Sequence, residues 1–332
     1  MSFATPSFKA ISAYAIRISL SLGLFWYLFC AVTAPGNGSV QCDISFPPGS
    51  GIHKLANELK AGGVIRSSWQ FMLMTRLRGS AHRLKAGEYR FCDNMTPDAI
   101  LHKIVSGDVD YRKFTLPEGY SVYQAAELLE QKGYFRKEAF LEKCRDRNLL
   151  IRLGITADSA EGYLYPATYN LSRNCSEEQL LEQMIGKFNK EYAEIGAAEG
   201  GNRRPLHDII TLASIIEKEA ISTEEKPLIS SVFHNRMRIN MPLQSDPTAV
   251  YGVRAFSGKV SKADIQRPSP YNTYLNRGLP PGPIGNPGRD AVRAAMNPAK
   301  SNYLYFVARQ DGHHYFSRTL AEHNRAVAQY LR

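Results

Sequence analysis

One uncharged stretch near the N-terminus limits the possible folds of this chain more than any other feature. Residues 18–34 read ISLSLGLFWYLFCAVTA and contain no charged side chain. As an α-helix they would extend about 26 Å, which approaches the roughly 30 Å hydrocarbon core of a bilayer. Lys9 and Arg17 precede the stretch, and the next charged residue is Asp43. The sequence therefore predicts a single membrane span, with residues 1–17 in the cytoplasm and the remainder of the chain outside it.

A cleaved signal peptide is the alternative to an uncleaved anchor. Val32-Thr33-Ala34 resembles a small-residue cleavage site. Residues 12–16 can lengthen the span if the charged end of Arg17 reaches the membrane interface. We favour the uncleaved anchor, and both interpretations place the residues beyond 34 outside the cytoplasm.

The cysteines leave the redox state open. Four of them follow the apolar stretch, at positions Cys42, Cys92, Cys144 and Cys175. Four thiols allow three pairings, and spacing does not select among these pairings or exclude free thiols. None of the cysteines has CxxC spacing, which argues against a zinc knuckle.

Composition narrows the class of protein and of partner. The chain has 332 residues, which suits two domains, and its 44% hydrophobic content excludes a largely disordered protein. Lys and Arg number 41 against 31 Asp and Glu, so the net charge is +10. A basic protein suits an anionic partner such as nucleic acid, acidic lipid or an acidic wall polymer. Export and the lack of a basic-aromatic motif make nucleic acid the least favoured of these.

The distribution of turns divides the exported part of the chain. Residues 35–42 read as a flexible tether. Residues 43–111 alternate short strands with short helices, which predicts a small α/β module without an evident catalytic set. Residues 112–332 carry longer helices, loops rich in proline and glycine, and a strand pair near the C-terminus. The predicted fold class is α+β, with an N-terminal transmembrane helix, this small module and a larger mixed α/β domain.

The strongest local feature is an apolar helix predicted for residues 206–221, which contains the run LASIIEKEA. Helical periodicity places Glu217 and Glu219 at similar angles on either side of the buried stripe and directs Lys218 to solvent. Apolar neighbours in the preceding turn favour Glu219 as the more enclosed carboxyl. Such a carboxyl has a raised pKa and can donate a proton near neutral pH. The alternative is a surface glutamate in an i,i+4 pair.

Loops rich in proline and glycine follow this helix. The segments 242–248, 270–274 and 278–288 carry aromatic and amide side chains between prolines and glycines, so regular structure is not expected there. Rigid loops of this kind suit sugar binding, although they can equally form a structural wall. The sequence contains no GxGxxG, GxxxxGK[ST], HExxH or GxSxG motif, which removes the basis for nucleotide, zinc-protease and α/β-hydrolase interpretations.

Several stretches match one known family in the same order along the chain. They are KAGEYRF at 85–91, LPEG at 116–119, EGYLYP at 161–166, LASIIEKEA at 212–220, SVFHNRM at 231–237, LQSDPTAVYG at 243–252, SPYNTYLNRGLPPGPIGNPG at 269–288 and YLYFVA at 303–308. In these stretches the chain resembles the MltG/YceG-like membrane-anchored endolytic murein transglycosylases. The resemblance covers nearly all of the chain beyond the apolar stretch.

The resemblance implies a fold and an activity. It implies a LysM-like module at 43–111, a catalytic domain at 112–332 and Glu219 as the catalytic acid. The implied reaction cleaves the MurNAc-GlcNAc bond of nascent peptidoglycan inside the strand, leaves 1,6-anhydro ends and terminates strand elongation. No metal or organic cofactor is implied. The implied location is the bacterial inner membrane with the bulk of the chain periplasmic, and peptidoglycan synthases are possible partners.

Motif position and side-chain chemistry suggest further site residues. Gln244, Asp246, Asn272 and Tyr274 are candidates for orienting the sugars or stabilising charge. The chain departs from the family at Ala167, where an aspartate is usual, which favours a mechanism with a single acid over a hydrolase with two carboxylates. Two other functions stay open, a non-catalytic peptidoglycan-binding scaffold and a lysozyme-type hydrolase.

Overall fold

The structure is a computed structural model that describes residues 17–27, 29, 33–47, 49–109, 111–172, 174–198, 204–256 and 258–330. The chain forms two compact units. The smaller unit contains the described residues of Met1–Arg112 and Asn170–Asn174, and the larger contains those of Lys113–Tyr169 and Cys175–Arg332. Helices and strands occur in both units, which confirms the predicted mixture of α and β structure.

Most of the described part of the N-terminal stretch is helical. Residues 17–27 form helix α1, on which nearly all side chains are exposed. Residues 1–16 of the predicted cytoplasmic segment, and residues 28 and 30–32 of the predicted span, lie outside the described residues. Within the described ranges, no helix combines the length and the apolar character that a membrane crossing requires.

An antiparallel pair of strands and three helices build the smaller unit. Strand β1 (Gln41–Phe46) pairs antiparallel with β2 (Gly87–Cys92), in a register that sets Gln41 opposite Cys92. Helices α2 (Ile52–Ala61) and α3 (Ser68–Leu77) connect the two strands, and α4 (Pro97–Ser106) follows β2. The shared apolar core includes Ile44, Phe46, Leu55, Leu59, Phe71, Met74, Tyr89, Phe91, Ile100 and Ile104.

From residue 112 onward, short strands separate a series of helices. In chain order the elements are β3 (Arg112–Thr115), α5 (Val122–Gln131), α6 (Lys137–Lys143), α7 (Arg147–Arg152), β4 (Thr168–Leu171), α8 (Glu177–Ala198), α9 (Leu206–Glu219), α10 (Lys226–Arg238), α11 (Asp246–Val250), α12 (Lys262–Gln266), α13 (Arg289–Met296), β5 (Tyr305–Ala308), β6 (His314–Ser317) and α14 (Leu320–Tyr330). Strands β5 and β6 pair antiparallel, as the sequence predicts for this region.

Helix α9 lies at the centre of the larger unit. All residues from Ile209 to Ile216 are buried, and the helix packs against α10 and α13. The burial of the apolar residues follows from the predicted stripe, whereas the burial of Thr211 and Ser214 comes from tertiary packing. The helix ends at Glu219, because Ala220 has an extended backbone. Glu219 is therefore the point at which the chain leaves the core.

The proline- and glycine-rich segments match the expectation in part. Residues 278–288 contain no helix or strand, as predicted. The Ser214 hydroxyl accepts a hydrogen bond from the Ile284 amide at 3.0 Å, which fastens this loop to α9. The prediction is wrong at the end of 242–248, where Asp246 begins the short helix α11. Pro247 lies in the first turn of that helix, a position at which proline costs no backbone hydrogen bond.

Three of the described cysteines are free thiols. They are Cys42, Cys92 and Cys144. Cys144 and Cys175 are buried. Of the two interpretations that the sequence leaves open, the structure has free thiols at Cys42, Cys92 and Cys144.

Candidate active site

The two carboxylates near the end of α9 have different surroundings. Glu217 accepts hydrogen bonds from the Lys226 ammonium at 2.9 and 3.2 Å and from the Gly288 amide at 2.9 Å. Its side chain is 9% exposed and that of Lys226 is 6% exposed. A buried carboxyl group with these partners belongs to a structural ion pair. The oxygens of Glu217 are therefore occupied by Lys226 and the Gly288 amide.

Glu219 faces an open cavity and is only partly buried. Its Oε1 accepts a hydrogen bond from the Ser245 hydroxyl at 2.6 Å. Burial is the main cause that raises the pKa of Glu219 to about 7, and the nearby Asp246 charge acts in the same direction. The Ser245 hydrogen bond and the Arg236 charge oppose this rise in pKa. Near neutral pH this carboxyl can both donate and accept a proton.

The cavity beside Glu219 has a volume of about 680 Å³. A volume of this order admits a small-molecule or saccharide ligand. Three of the four predicted sugar-contacting residues line it together with Glu219, namely Gln244, Asp246 and Tyr274. The strand pair β5–β6 and the start of α14 supply the facing wall. The structure thus brings Glu219 and these three side chains to one surface.

The three side chains are held in different ways. Tyr274 donates a hydrogen bond from its hydroxyl to Asp246, and burial together with this carboxylate raises the pKa of Tyr274. Gln244 has an exposed side chain and a backbone φ of 50°. That conformation is uncommon for a residue other than glycine. The backbone amide of Gln244 donates to the Thr273 carbonyl at 3.1 Å, which fixes the turn that presents the Gln244 side chain.

Asn272 is not brought to the cavity. Its side chain is fully buried, and its Nδ2 donates to the carbonyls of Ile265 at 3.0 Å and Arg267 at 2.9 Å. Its Oδ1 accepts from the Tyr274 amide at 3.0 Å. All these bonds are to backbone groups, so Asn272 shapes the loop that carries Tyr274. The prediction that this amide meets sugars is not supported by its position.

Arg236 is a cavity residue for which the sequence predicted no role. Its side chain is buried, and it donates to the carbonyls of Leu243 at 2.6 Å and Leu304 at 2.7 Å. The guanidinium lies 5.3 Å from the centre of the Tyr305 ring. The planar Arg236 guanidinium therefore joins the loop before α11 to the segment before β5. The only sequence signal for it is its place within SVFHNRM.

His314 is a second cavity residue without a predicted role. Its Nδ1 lies 2.9 Å from Glu225 Oε2, and its backbone amide donates to Glu225 Oε1 at 2.7 Å. Both side chains are buried. The Glu225 carboxylate therefore fixes the orientation of the imidazole at the cavity wall. His314 and Glu225 are 89 residues apart in the chain, so no local sequence pattern predicts their contact.

The position of the Lys218 side chain differs from the one that helical periodicity predicts. The sequence predicts that it points to solvent, but it is partly buried and lines both the cavity of Glu219 and a second one of about 250 Å³. Burial lowers the pKa of Lys218. The loop at Gly285 approaches so closely that an added Cβ would lie 3.3 Å from Lys218 Cε and 2.6 Å from the Gly119 carbonyl oxygen. Periodicity within one helix cannot show that loops from other parts of the chain cover Lys218.

Glu161 is another buried carboxyl of the larger unit. It is 3% exposed, and burial raises its pKa to about 7. It accepts from the Val122 amide at 3.1 Å, the Tyr251 hydroxyl at 2.8 Å and Asn286 Nδ2 at 3.2 Å. Glu161 does not line either of the two cavities. Its bonds join separate loops of the unit, which is a structural role.

A carboxyl of near-neutral pKa on an open cavity is the arrangement that acid–base catalysis requires. Comparison with known proteins gives the family. The model of the YceG-like family matches residues 44–329. The "Endolytic murein transglycosylase" of Bacillus subtilis (strain 168) is 35% identical over 305 residues, which cover 87% of this chain and 84% of that protein. The chain therefore belongs to the YceG-like family, as the sequence motifs predict, and it is an enzyme of the transglycosylase class.

Two further relatives agree with this assignment. The "Endolytic murein transglycosylase" of Streptococcus pneumoniae serotype 2 (strain D39 / NCTC 7466) is 30% identical over 327 residues, which cover 89% of this chain. The chain spans 59% of the length of that pneumococcal protein. The crystal structure of a yceG-like protein from Listeria monocytogenes matches with a TM-score of 0.58 and 33% identity, covering 86% of this chain and 98% of that one.

Proposed function

We propose that this protein cleaves the MurNAc-GlcNAc bond inside peptidoglycan strands and leaves 1,6-anhydro-MurNAc ends. The observation that carries the proposal is the Glu219 carboxyl, which has a pKa raised to about 7 and lines a cavity of about 680 Å³. The names of its relatives, endolytic murein transglycosylases, supply the substrate class.

A single carboxyl suffices for this reaction. Protonated Glu219 donates its proton to the glycosidic oxygen, and the C1–O bond breaks as positive charge develops at C1 of the muramoyl residue. The ionised Glu219 then takes the proton of the muramoyl C6 hydroxyl, and that oxygen bonds to C1 and closes the anhydro ring. The proton count balances and Glu219 is regenerated. No water attacks, so the second carboxylate of a glycosidase is not required.

The other cavity residues support the two proton transfers. Asp246 is an anion near Glu219 that disfavours early loss of its proton and offsets positive charge at C1. The hydrogen bond from Tyr274 keeps the Asp246 carboxylate in place. Gln244 presents an amide to the cavity, where it can orient sugar hydroxyl or acetamido groups. Ala167 does not line the cavity, so the loss of the family aspartate there is compatible with this mechanism.

We also propose where the reaction takes place. Residues 18–34 anchor the protein in the bacterial inner membrane by a single pass, with residues 1–17 cytoplasmic and the bulk of the chain periplasmic. The LysM-like module at 43–111 holds the glycan while the domain at 112–332 cuts it. Cutting near the membrane ends the elongation of nascent strands, so peptidoglycan synthases are the expected partners. The charge-free stretch and the net charge of +10 support this arrangement.

Product analysis tests the chemistry. Purified peptidoglycan is digested with the wild-type protein, with Glu219→Gln and with Glu138→Gln, a control at an exposed glutamate of α6. We expect wild type and the control to release muropeptides whose ends are lighter by one water than reducing ends, and Glu219→Gln to release none. Reducing ends would indicate a lysozyme-type hydrolase, and full release by Glu219→Gln would indicate that Glu219 is structural.

A further inference from the structure

Helix α3 of the smaller unit exposes an apolar face. Trp69, Leu73 and Leu77 are 59%, 37% and 69% exposed. Their spacing of four residues puts them along one side of the helix. The opposite side is committed to the core, where Phe71 and Met74 are 2% exposed. Among the described residues of this unit, a row of large apolar side chains therefore stays exposed, which is the mark of an interaction surface.

The surroundings of this row are basic. No Asp or Glu occurs in the sequence between Glu58 and Glu88. The cations in that interval are Lys60, Arg66, Arg76, Arg78, Arg83 and Lys85. Helical geometry places Arg76 on the same face as Trp69 and Leu73. Arg78 is paired with Asp98, but the segment keeps a clear positive excess. An anionic surface is the partner that complements it.

The row begins where the chain leaves its apolar stretch. Arg66, two residues before α3, donates to the Thr33 hydroxyl at 2.7 Å and to the Ala34 carbonyl at 2.8 Å. Its guanidinium lies 5.3 Å from the centre of the Phe29 ring. These contacts hold the start of α3 beside the last residues of the predicted membrane span.

We propose that the row Trp69–Leu73–Leu77 of α3 lies in the interface of an anionic phospholipid membrane, and this rests on the membrane anchor of the proposed function. Large apolar side chains flanked by arginines, with tryptophan among them, are the pattern of a helix that lies in the membrane plane. A lipid surface accounts for both the exposed apolar row and the positive charge. It also agrees with the contacts of Arg66 to the residues at the end of the predicted span.

The tryptophans allow a direct test in the full chain. The sequence contains only Trp26 and Trp69, so Trp26→Phe leaves Trp69 as the sole tryptophan, which is excited selectively over the tyrosines. This variant is placed in vesicles of phosphatidylethanolamine and phosphatidylglycerol that carry bromines on the acyl chains. We expect blue-shifted Trp69 emission with strong quenching by bromines near the headgroups, because interfacial helices bury their apolar face by about 5–10 Å. Unquenched, water-like emission from vesicle-bound protein would overturn the proposal.

Two further variants distinguish a lipid surface from a protein partner and from unspecific adsorption. A Trp26→Phe, Trp69→Phe, Ile151→Trp chain reports on an exposed apolar position of the larger unit, and should be unquenched. Equal quenching at both positions would contradict a specific lipid-facing row, and a blue shift without quenching would indicate a protein partner instead. Arg76→Ser should lower the equilibrium constant for placing α3 in the lipid interface about fivefold, the ratio for about 1 kcal/mol per surface cation. Co-flotation with vesicles tests the anchor, and product analysis tests the activity, independently of these signals.

Discussion

The hydrogen bond from Ser245 to Glu219 makes a quantitative prediction about pH. The hydroxyl stabilises the ionised carboxylate at 2.6 Å, so Ser245→Ala removes a force that lowers the pKa of Glu219. Hydrogen bonds to charged groups contribute about 1.5–3 kcal/mol, which corresponds to about one to two pH units. The pKa of about 7 should therefore rise by that amount.

The consequence appears in the alkaline limb of kcat/KM, since only protonated Glu219 can start the reaction. A pKa of 7 leaves about 3% of the carboxyl protonated at pH 8.5, whereas a pKa of 8–9 leaves roughly 25–75% protonated. The assay measures the release of soluble muropeptides between pH 5 and 10. We expect the limb to move to higher pH in Ser245→Ala, whatever the maximal rate.

A matched serine provides the control. Ser230 is buried in the same unit and donates to the Ala294 carbonyl at 2.6 Å, without contact to Glu219. Ser230→Ala should change stability but leave the limb in place. An unmoved limb in Ser245→Ala, or an equal shift in both variants, would refute the argument that this hydroxyl tunes Glu219.

Three other variants test the energetics of the site. Folding raises the pKa of Glu219 from 4.5 to about 7, so the stability of the wild-type protein falls as the pH rises from 4.5 to 7. Glu219→Gln should therefore raise the free energy of unfolding over wild type by up to about 3 kcal/mol at pH 8 but not at pH 4. Urea titrations at both pH values check this, and equal differences would contradict it. Lys226→Met should cost about 3–5 kcal/mol in the same titrations because it strands the buried Glu217, and adding Glu217→Gln should restore most of the loss. Arg236→Lys should lower kcat about tenfold or more with an unchanged circular dichroism spectrum, because an ammonium cannot replace the fork to the Leu243 and Leu304 carbonyls; unaltered kcat would show that the fork is not needed.

Local signals in the sequence mark both ends of helix α4. Thr96 and Pro97 predict the start of α4 and Gly107 its end, and the structure has Thr96 accepting from the Ala99 amide at 3.1 Å and Gly107 at φ 74°. These devices act within one turn of helix, so the sequence shows them directly. Helix α10 (Lys226–Arg238) buries apolar residues at helical spacing, Ile229, Val232 and Phe233, and it also buries polar residues by tertiary contact.

Side-chain roles depended on residues far apart in the chain. Periodicity left Glu217 and Glu219 equivalent, and the partners that separate them are Lys226 and the Gly288 amide for one and Ser245 for the other. For Lys218 the covering loops likewise come from distant segments. Amide chemistry made Asn272 a sugar-binding candidate, whereas folding gave that amide to neighbouring carbonyls.

The most direct test of the account is the pKa of the Glu219 carboxyl itself. The full chain is labelled with ¹³C at glutamate Cδ, and the Glu219 signal is identified by its loss in Glu219→Gln. We predict a titration midpoint near pH 7 in the wild-type protein without ligand. A midpoint near 4.3, the value of an unperturbed glutamate, would contradict the proposal that this side chain is the proton donor.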